Sequence, residues 1–239
     1  ALEAGISPYE PIDSPSPATF EGFVNCDTGV PFPTVTVNNS TTSGFLTMAQ
    51  ATAFSTNTYF MAIEERTGIC RVAEIAESMG VYAGSGDELP RVPTLTLGVA
   101  EVTPLAMANA YATFAAHGVH CEPRSILEVR DRNQKRLPVP EEKCTQVIDR
   151  PVADSVTELL SGVVDGPIAG RTGSRMSLAP QPVAGKTGTT NESAAVWFAG
   201  YTPHVAAAVR IGDPRGGFAH PMKDKTINGT NNEQVFGGT

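Results

Sequence analysis

The rhythm of apolar and polar positions changes twice along this chain, dividing it into three zones. Residues 5–44 are rich in Pro, Ser, Thr and Gly and hold no helical period. The pattern there predicts loops and short strands, with Val35-Thr36-Val37 the clearest strand. A helical zone follows. Thr47 stands at a cap position with Gln50 three residues on, and the pattern runs to Arg66 before Gly68 ends it. Inside this zone, Ser55-Thr56-Asn57-Thr58 sets four side chains in a row that compete for backbone hydrogen bonds, which predicts a turn between two helices. A short helix is expected over 71–79, stopped by Gly80, and then loop over 82–102. Thr103-Pro104 opens the best-marked helix, with Thr at the cap and Pro at the first helical position. Its apolar face carries Leu105, Met107, Ala108, Tyr111 and Phe114, and Gly118 closes it.

Beyond Cys121 the pattern turns toward strands. Residues 125–129 and the stretch after Lys135 flank a turn at Asp131-Arg132-Asn133, which predicts a hairpin. Asp149 and Pro151 start a further helix through Val156, Leu159, Leu160 and Val163, and the Gly-rich stretch 166–173 reads as a flexible connector. Strands are expected at 182–190, 194–201 and 205–211, the last two joined tightly by Thr202-Pro203-His204. Trp197 and Phe198 read as sheet core, and Asp213-Pro214-Arg215-Gly216-Gly217 as a solvated turn. The fold class is therefore α/β (α+β): an antiparallel sheet packed by helices, with a mainly helical subdomain at about 44–118 and a sheet-containing one at about 119–239.

Composition narrows the function. With 239 residues, 41% of them hydrophobic, the chain can bury a sizeable core. A formal net charge of -8 argues against nucleic acid, whose phosphates demand clustered Lys and Arg. No apolar run approaches the roughly 20 residues a bilayer requires. The ends read as cuts through a domain, Ala1-Leu2-Glu3-Ala4-Gly5 as the last turn of a helix with its Gly stop. The four cysteines allow three pairings. The strand-turn-strand pattern between Cys121 and Cys144 favours that pair, whose loop closure contributes about 3.5 kcal/mol in the chain-entropy model. Cys26 would then join Cys70, and four free buried thiols remain the alternative. No cofactor or metal is expected: no Cys spacing matches a zinc site, and His117 and His120 do not share one helix face.

Chemistry concentrates in two short motifs. Lys186-Thr187-Gly188-Thr189 opens a strand, and Ser55-Thr56-Asn57 lies upstream between two helices. The hydroxyls of Thr187 and Thr189 and the Lys186 ammonium suit a substrate carboxylate, with charge-assisted bonds stronger than neutral ones. Gly188 lets an extended ligand approach the backbone, and a strand N–H can serve an oxyanion hole. Either motif alone is common, Lys-Thr-Gly-Thr as a surface strand and Ser-x-Asn as a helix cap. Together, in this order and context, they are two of the three motifs of penicillin-recognising active-site serine enzymes. The third, Ser-x-x-Lys, is absent: no Ser in the sequence has a Lys three positions later.

The chain resembles the transpeptidase domain of class A penicillin-binding proteins, the bifunctional enzymes that build bacterial peptidoglycan. The likeness covers nearly the whole length. It runs through residues 1–8, through Phe-Ser-Thr-Asn-Thr-Tyr-Phe at 54–60, and through the helix and lead-in at 97–118. It continues in Val-Ala-Gly-Lys-Thr-Gly-Thr-Thr at 183–190, Trp-Phe-Ala-Gly-Tyr-Thr-Pro at 197–203, and Val-Phe-Gly-Gly-Thr at 235–239. The resemblance implies the penicillin-binding protein and serine β-lactamase type of fold. It implies a D,D-transpeptidase that acts through a serine acyl-enzyme on D-Ala-D-Ala stem peptides and is a target of β-lactams. Ser55 would sit in the proton relay, Asn57 would hold the substrate amide, and Lys186 would stabilise negative charge. Thr187 and Thr189 would bind the terminal carboxylate, and the Thr189 N–H would form half of the oxyanion hole.

The resemblance also places the nucleophile about ten residues before the stretch matching Ala1, so a companion N-terminal segment is expected to carry it. A glycosyltransferase domain and a membrane anchor would precede that segment and hold the protein at the extracytoplasmic face of the cell membrane. Two other readings stay open: a D,D-carboxypeptidase or β-lactamase of the same superfamily, for which no water-activating carboxylate is seen beside the motifs, and a non-catalytic β-lactam sensor.

Overall fold

The computed structural model describes residues 1–227 and 229–238. After one turn closed by Gly5, four short strands make two antiparallel ribbons. β1 (Ile12–Ser14) pairs with β4 (Gly44–Leu46), and β2 (Ala18–Phe20) pairs with β3 (Val35–Val37). These lean on a helical layer. In α1 (Met48–Phe54) the Thr47 side chain accepts from the Gln50 amide while Gln50 reaches back to the Thr47 N–H, a reciprocal cap that fixes the helix start. α2 (Asn57–Thr67) and α3 (Ile69–Ser78) meet at Gly68, whose φ of 84° lets the chain change direction in one residue. The second helix thus begins two residues earlier than the sequence pattern suggests, because Ile69 is drawn into the core at 1% exposure.

α4 (Pro104–Ala115) is capped by the Thr103 side chain, which accepts from the Ala106 amide, with Pro104 at the first helical position. β5 (Val119–Cys121) pairs with β8 (Cys144–Gln146), and a smaller ribbon of β6 (Val129–Arg130) and β7 (Arg136–Leu137) forms between them. That hairpin is shorter than predicted. Ile126 and Leu127 are 50% and 73% exposed, so no apolar surface rewards extending its first strand, and the Asp131 carboxylate holds the turn by accepting from the Asn133 and Lys135 amides.

α5 (Arg150–Val164) precedes the main sheet. β9 (Ala184–Thr189), β10 (Val196–Tyr201) and β11 (Ala206–Ile211) run antiparallel in the order β11-β10-β9, so β9 is a free edge. The register puts Ala184, Tyr201 and Ala206 in one row, then Lys186, Ala199 and Ala208, then Gly188, Trp197 and Arg210. Because side chains alternate, all nine face one side, and α5 on β9 with α4 on β10 and β11 cover that side. Leu160, Ala184 and Tyr201 seal the contact with Tyr111, Phe114 and Val156 around them. α4 also contributes Ala110 to the helical layer's core, so it belongs to both layers. On the opposite side Val209 and Ile211 are half-exposed. Trp197 and Phe198 are only half-buried, on opposite sides of the sheet, and the Phe198 ring lies across Gly185 and Gly200.

A final hairpin, β12 (Lys223–Ile227) with β13 (Thr230–Gln234), docks on the β9–β10 turn through Gln234 to Ser193. No sequence pattern marked it. Thr239, the end of the stretch matched at 235–239, lies outside the described residues. No helix among the described residues is long and apolar enough to cross a membrane.

Candidate active site

Ser55 ends α1 in the left-handed region, with φ 59° and ψ 51°, and its N–H closes the helix on Thr52. A side chain there costs of order 1–3 kcal/mol in backbone strain, a cost that recurs at functional turns. Asn57 begins α2. One of its amide hydrogens goes to the Asn38 carbonyl at 2.9 Å, which aims its own carbonyl oxygen away from that loop. The cap of α2 comes from Asn39, not from Thr56. Asn39 accepts from the Thr58 amide and donates to the Thr58 hydroxyl, both at 2.9 Å. The loop before β4 therefore fixes where the Ser-x-Asn turn points. Thr56 is fully buried, and its hydroxyl has no hydrogen-bond partner.

On β9, Lys186 faces the side that the helices cover. The residue as a whole is half-buried, but its amine end is enclosed, and desolvation lowers it to about 8. The ammonium donates to the Thr187 carbonyl at 3.0 Å and approaches the Thr187 hydroxyl at 3.5 Å, rather than reaching Ser55. Thr187 is 9% exposed, while Thr189 is exposed at the outer end of the strand. Gly188 shares the Lys186 side, where an added Cβ would stand 3.3 Å from that of Trp197.

What joins the two motifs is Thr172, a residue that no local sequence signal marks. Thr172 donates its backbone N–H to the Ala53 carbonyl at 2.9 Å, two residues before Ser55, and its hydroxyl accepts from that of Thr187 at 2.8 Å. The connector 166–173 is thus pinned rather than flexible. Arg171 clamps it by donating to the Val164 carbonyl at 2.9 Å and the Ile168 carbonyl at 3.3 Å, neutralising the exposed end of α5. Its Gly content hides this, because the anchoring bonds are made to other elements.

Gly237 and Gly238 are the second surprise. The chain crosses the motif strand there, and Gly237 donates to the Thr189 hydroxyl at 3.0 Å. A Cβ on Gly237 would sit 2.4 Å from the Gly188 and Trp197 carbonyl oxygens, so only glycine allows that passage.

The cysteines are joined as Cys26–Cys70 and Cys121–Cys144, the latter directly opposite one another on β5 and β8. Cys121, Glu142 and Cys144 lie close enough to suggest a metal cluster, but both sulfurs are consumed in the disulfide and offer no thiolate. His117 pairs with Asp154 at the surface, whereas His120 packs beneath Gly80 against Asn109 and Thr113.

Comparison with known proteins agrees with this arrangement. The family model of the penicillin-binding protein transpeptidase domain matches residues 23–227. Penicillin-binding protein 1A of Aquifex aeolicus is 33% identical over 169 residues, which is 71% of this chain and 22% of that protein. Penicillin-binding protein 2D of Bacillus subtilis is 30% identical over 183 residues, 76% of this chain and 26% of that protein. The chain thus spans about a quarter or less of the length of these relatives. Among solved structures, PonA1 of Mycobacterium tuberculosis superposes with a TM-score of 0.75 at 26% identity, covering 99% of this chain and 61% of that one. Penicillin-binding protein 1A of Haemophilus influenzae shares the fold, with a TM-score of 0.75 at 22% identity over 89% of this chain and 36% of that one. With the family model matching residues 23–227, the chain belongs to the penicillin-binding protein transpeptidase domain family, and class A penicillin-binding proteins are among its relatives.

Proposed function

We propose that the chain is the greater part of a peptidoglycan D,D-transpeptidase site, completed by a companion N-terminal segment that carries the Ser-x-x-Lys nucleophile. The observation that carries this reading is the linkage of the Ser-x-Asn turn to the Lys-Thr-Gly-Thr edge strand through Thr172. A stem peptide ending in D-Ala-D-Ala lies along the free edge of β9. The nucleophilic serine oxygen attacks the carbonyl of the penultimate D-Ala, and the C–N bond breaks as the terminal D-Ala leaves with a proton. The amine of a second stem peptide then takes the acyl group and regenerates the serine.

In this scheme Thr187 and Thr189 bind the terminal carboxylate, and Gly188 keeps the strand open to the ligand. The Thr189 N–H supplies half of the oxyanion hole. Lys186, mostly charged at neutral pH, supplies the positive field of the site. Ser55 relays the proton between the serine and the leaving or entering amine, and the Asn57 carbonyl oxygen accepts a substrate amide hydrogen. β-Lactams occupy the same place, a reading supported by PonA1, which has been solved in complex with penicillin V and is 25% identical. The two disulfides fit an oxidising compartment, and the likeness to class A penicillin-binding proteins supports the extracytoplasmic face of the cell membrane.

The test is a denaturing gel after incubation with fluorescent penicillin, on this chain together with its companion segment. Label on the segment that carries Ser-x-x-Lys is the expected result. Label on a serine of this chain, Ser55 above all, would overturn the assignment of roles. Release of D-Ala with transfer to an added amine, rather than to water alone, distinguishes the transpeptidase from a carboxypeptidase.

A further inference from the structure

We infer that Thr172 is a positioning residue that turns the Thr187 hydroxyl toward the carboxylate of the ligand, and so sets selectivity for carboxylate-bearing acyl donors. The inference rests on the transpeptidase reading above and adds to it a residue outside the three motifs.

Thr187 is nearly buried and has one O–H, which it must aim at a carboxylate if it is to bind one. Two groups flank its oxygen. The Lys186 ammonium, 3.5 Å away, can only donate, and the Thr172 hydroxyl, 2.8 Å away, can donate or accept. Without a ligand the Thr187 proton rests on Thr172. When a carboxylate arrives, both hydroxyls rotate. Thr172 now donates to Thr187, and Thr187 donates outward. The structure holds the bond with Thr187 donating to Thr172, so the exchange also turns the Thr172 side chain, and it delivers a charge-assisted bond from the Thr187 oxygen to the ligand.

Thr172 is held for this task by its backbone rather than by its side chain. Its N–H is fixed to Ala53 on α1, and its carbonyl is overlain by Gly238, where an added Cβ would stand 2.2 Å away. Arg171 on one side anchors to α5, and on the other Gly173 packs directly on Val163. Thr172→Val keeps this backbone and nearly the same volume, and removes only the hydroxyl. Without it Thr187 loses the partner that holds its hydroxyl in the free protein and that would donate to it once a ligand takes its proton.

The experiment compares two acylating probes on the chain together with its companion segment: a penicillin with its free carboxylate, and the methyl ester of the same penicillin. Acylation is followed by rapid quench across probe concentrations, which separates the binding constant from the acylation rate constant at saturation. In Thr172→Val we expect the preference for carboxylate over ester to fall about ten-fold through the binding constant, with the saturating rate constant unchanged. Thr172→Ser, which restores the hydroxyl, should recover the preference. An unaltered preference, equal weakening of both probes, or failure of Thr172→Ser to recover would each overturn the inference, the second by showing that the residue merely supports the fold. If Thr172→Val does not fold, Thr172→Ala makes the same comparison without the demands of a branched side chain. A protein with native residues that neither probe labels would remove the transpeptidase reading itself, a failure seen before any variant is made.

Discussion

Glu64 is a carboxyl group in the wrong place, and its removal should make the protein's stability less sensitive to pH. It lies on α2 at 1% exposure, and neither oxygen has a hydrogen-bond partner. Burial raises it from the ordinary 4.5 to about 7, opposed only weakly by the nearby Thr96 backbone, which is not in bonding geometry. The folded state therefore keeps the proton that the unfolded state releases. Below pH 4.5 both states are protonated and no penalty exists. As pH rises toward 7 the unfolded chain ionises first and is favoured, so stability falls; above 7 the folded chain ionises too and the loss levels off. A displacement of this size corresponds to about 3 kcal/mol. Glu64→Gln cannot ionise. It leaves an amide in the same pocket, so the two proteins should match near pH 4, while the variant should be more stable by about 3 kcal/mol at pH 8. Urea unfolding in steps from pH 4 to pH 8.5 measures this as a difference of differences, in which all other titrating groups cancel. A difference that stays constant across that range would refute the reasoning, and would mean that water reaches the carboxylate.

Three other perturbations are worth making. Ser55→Gly relieves the left-handed backbone and should raise stability by about 1 kcal/mol in thermal unfolding while lowering penicillin labelling, separating strain from function at one position. Acylation should decline as pH rises through about 8, where Lys186 loses its proton, and Lys186→Arg should move that limb upward by more than one unit even if it lowers the maximal rate. Cys121→Ser with Cys144→Ser should cost about 3.5 kcal/mol by freeing the loop between β5 and β8 in the unfolded state, and adding reductant to the native protein should reproduce the loss.

The sequence by itself determined the local structure. Helix starts at Thr47 and Thr103, the turn at Ser55, and the three strands of the main sheet are written in caps, proline placement and alternation, all of which act within a few residues. Order along the chain and motif chemistry were enough to reach the family. What the tertiary structure alone decided are contacts between elements far apart in sequence, for which no local signal exists. Thr172 reads as linker until α1 and β9 close on it, and nothing local to Gly237 shows that it crosses Gly188. Asn39 gives no sign that it caps α2, and Glu64, in the polar run Glu64-Glu65-Arg66, reads as surface until the 3-10 turn at Leu95–Leu97 packs against α2 and buries it. The reason is the same in each case: hydrogen-bond partners and burial are set by the surface that arrives, and a residue's neighbours in sequence carry no record of it.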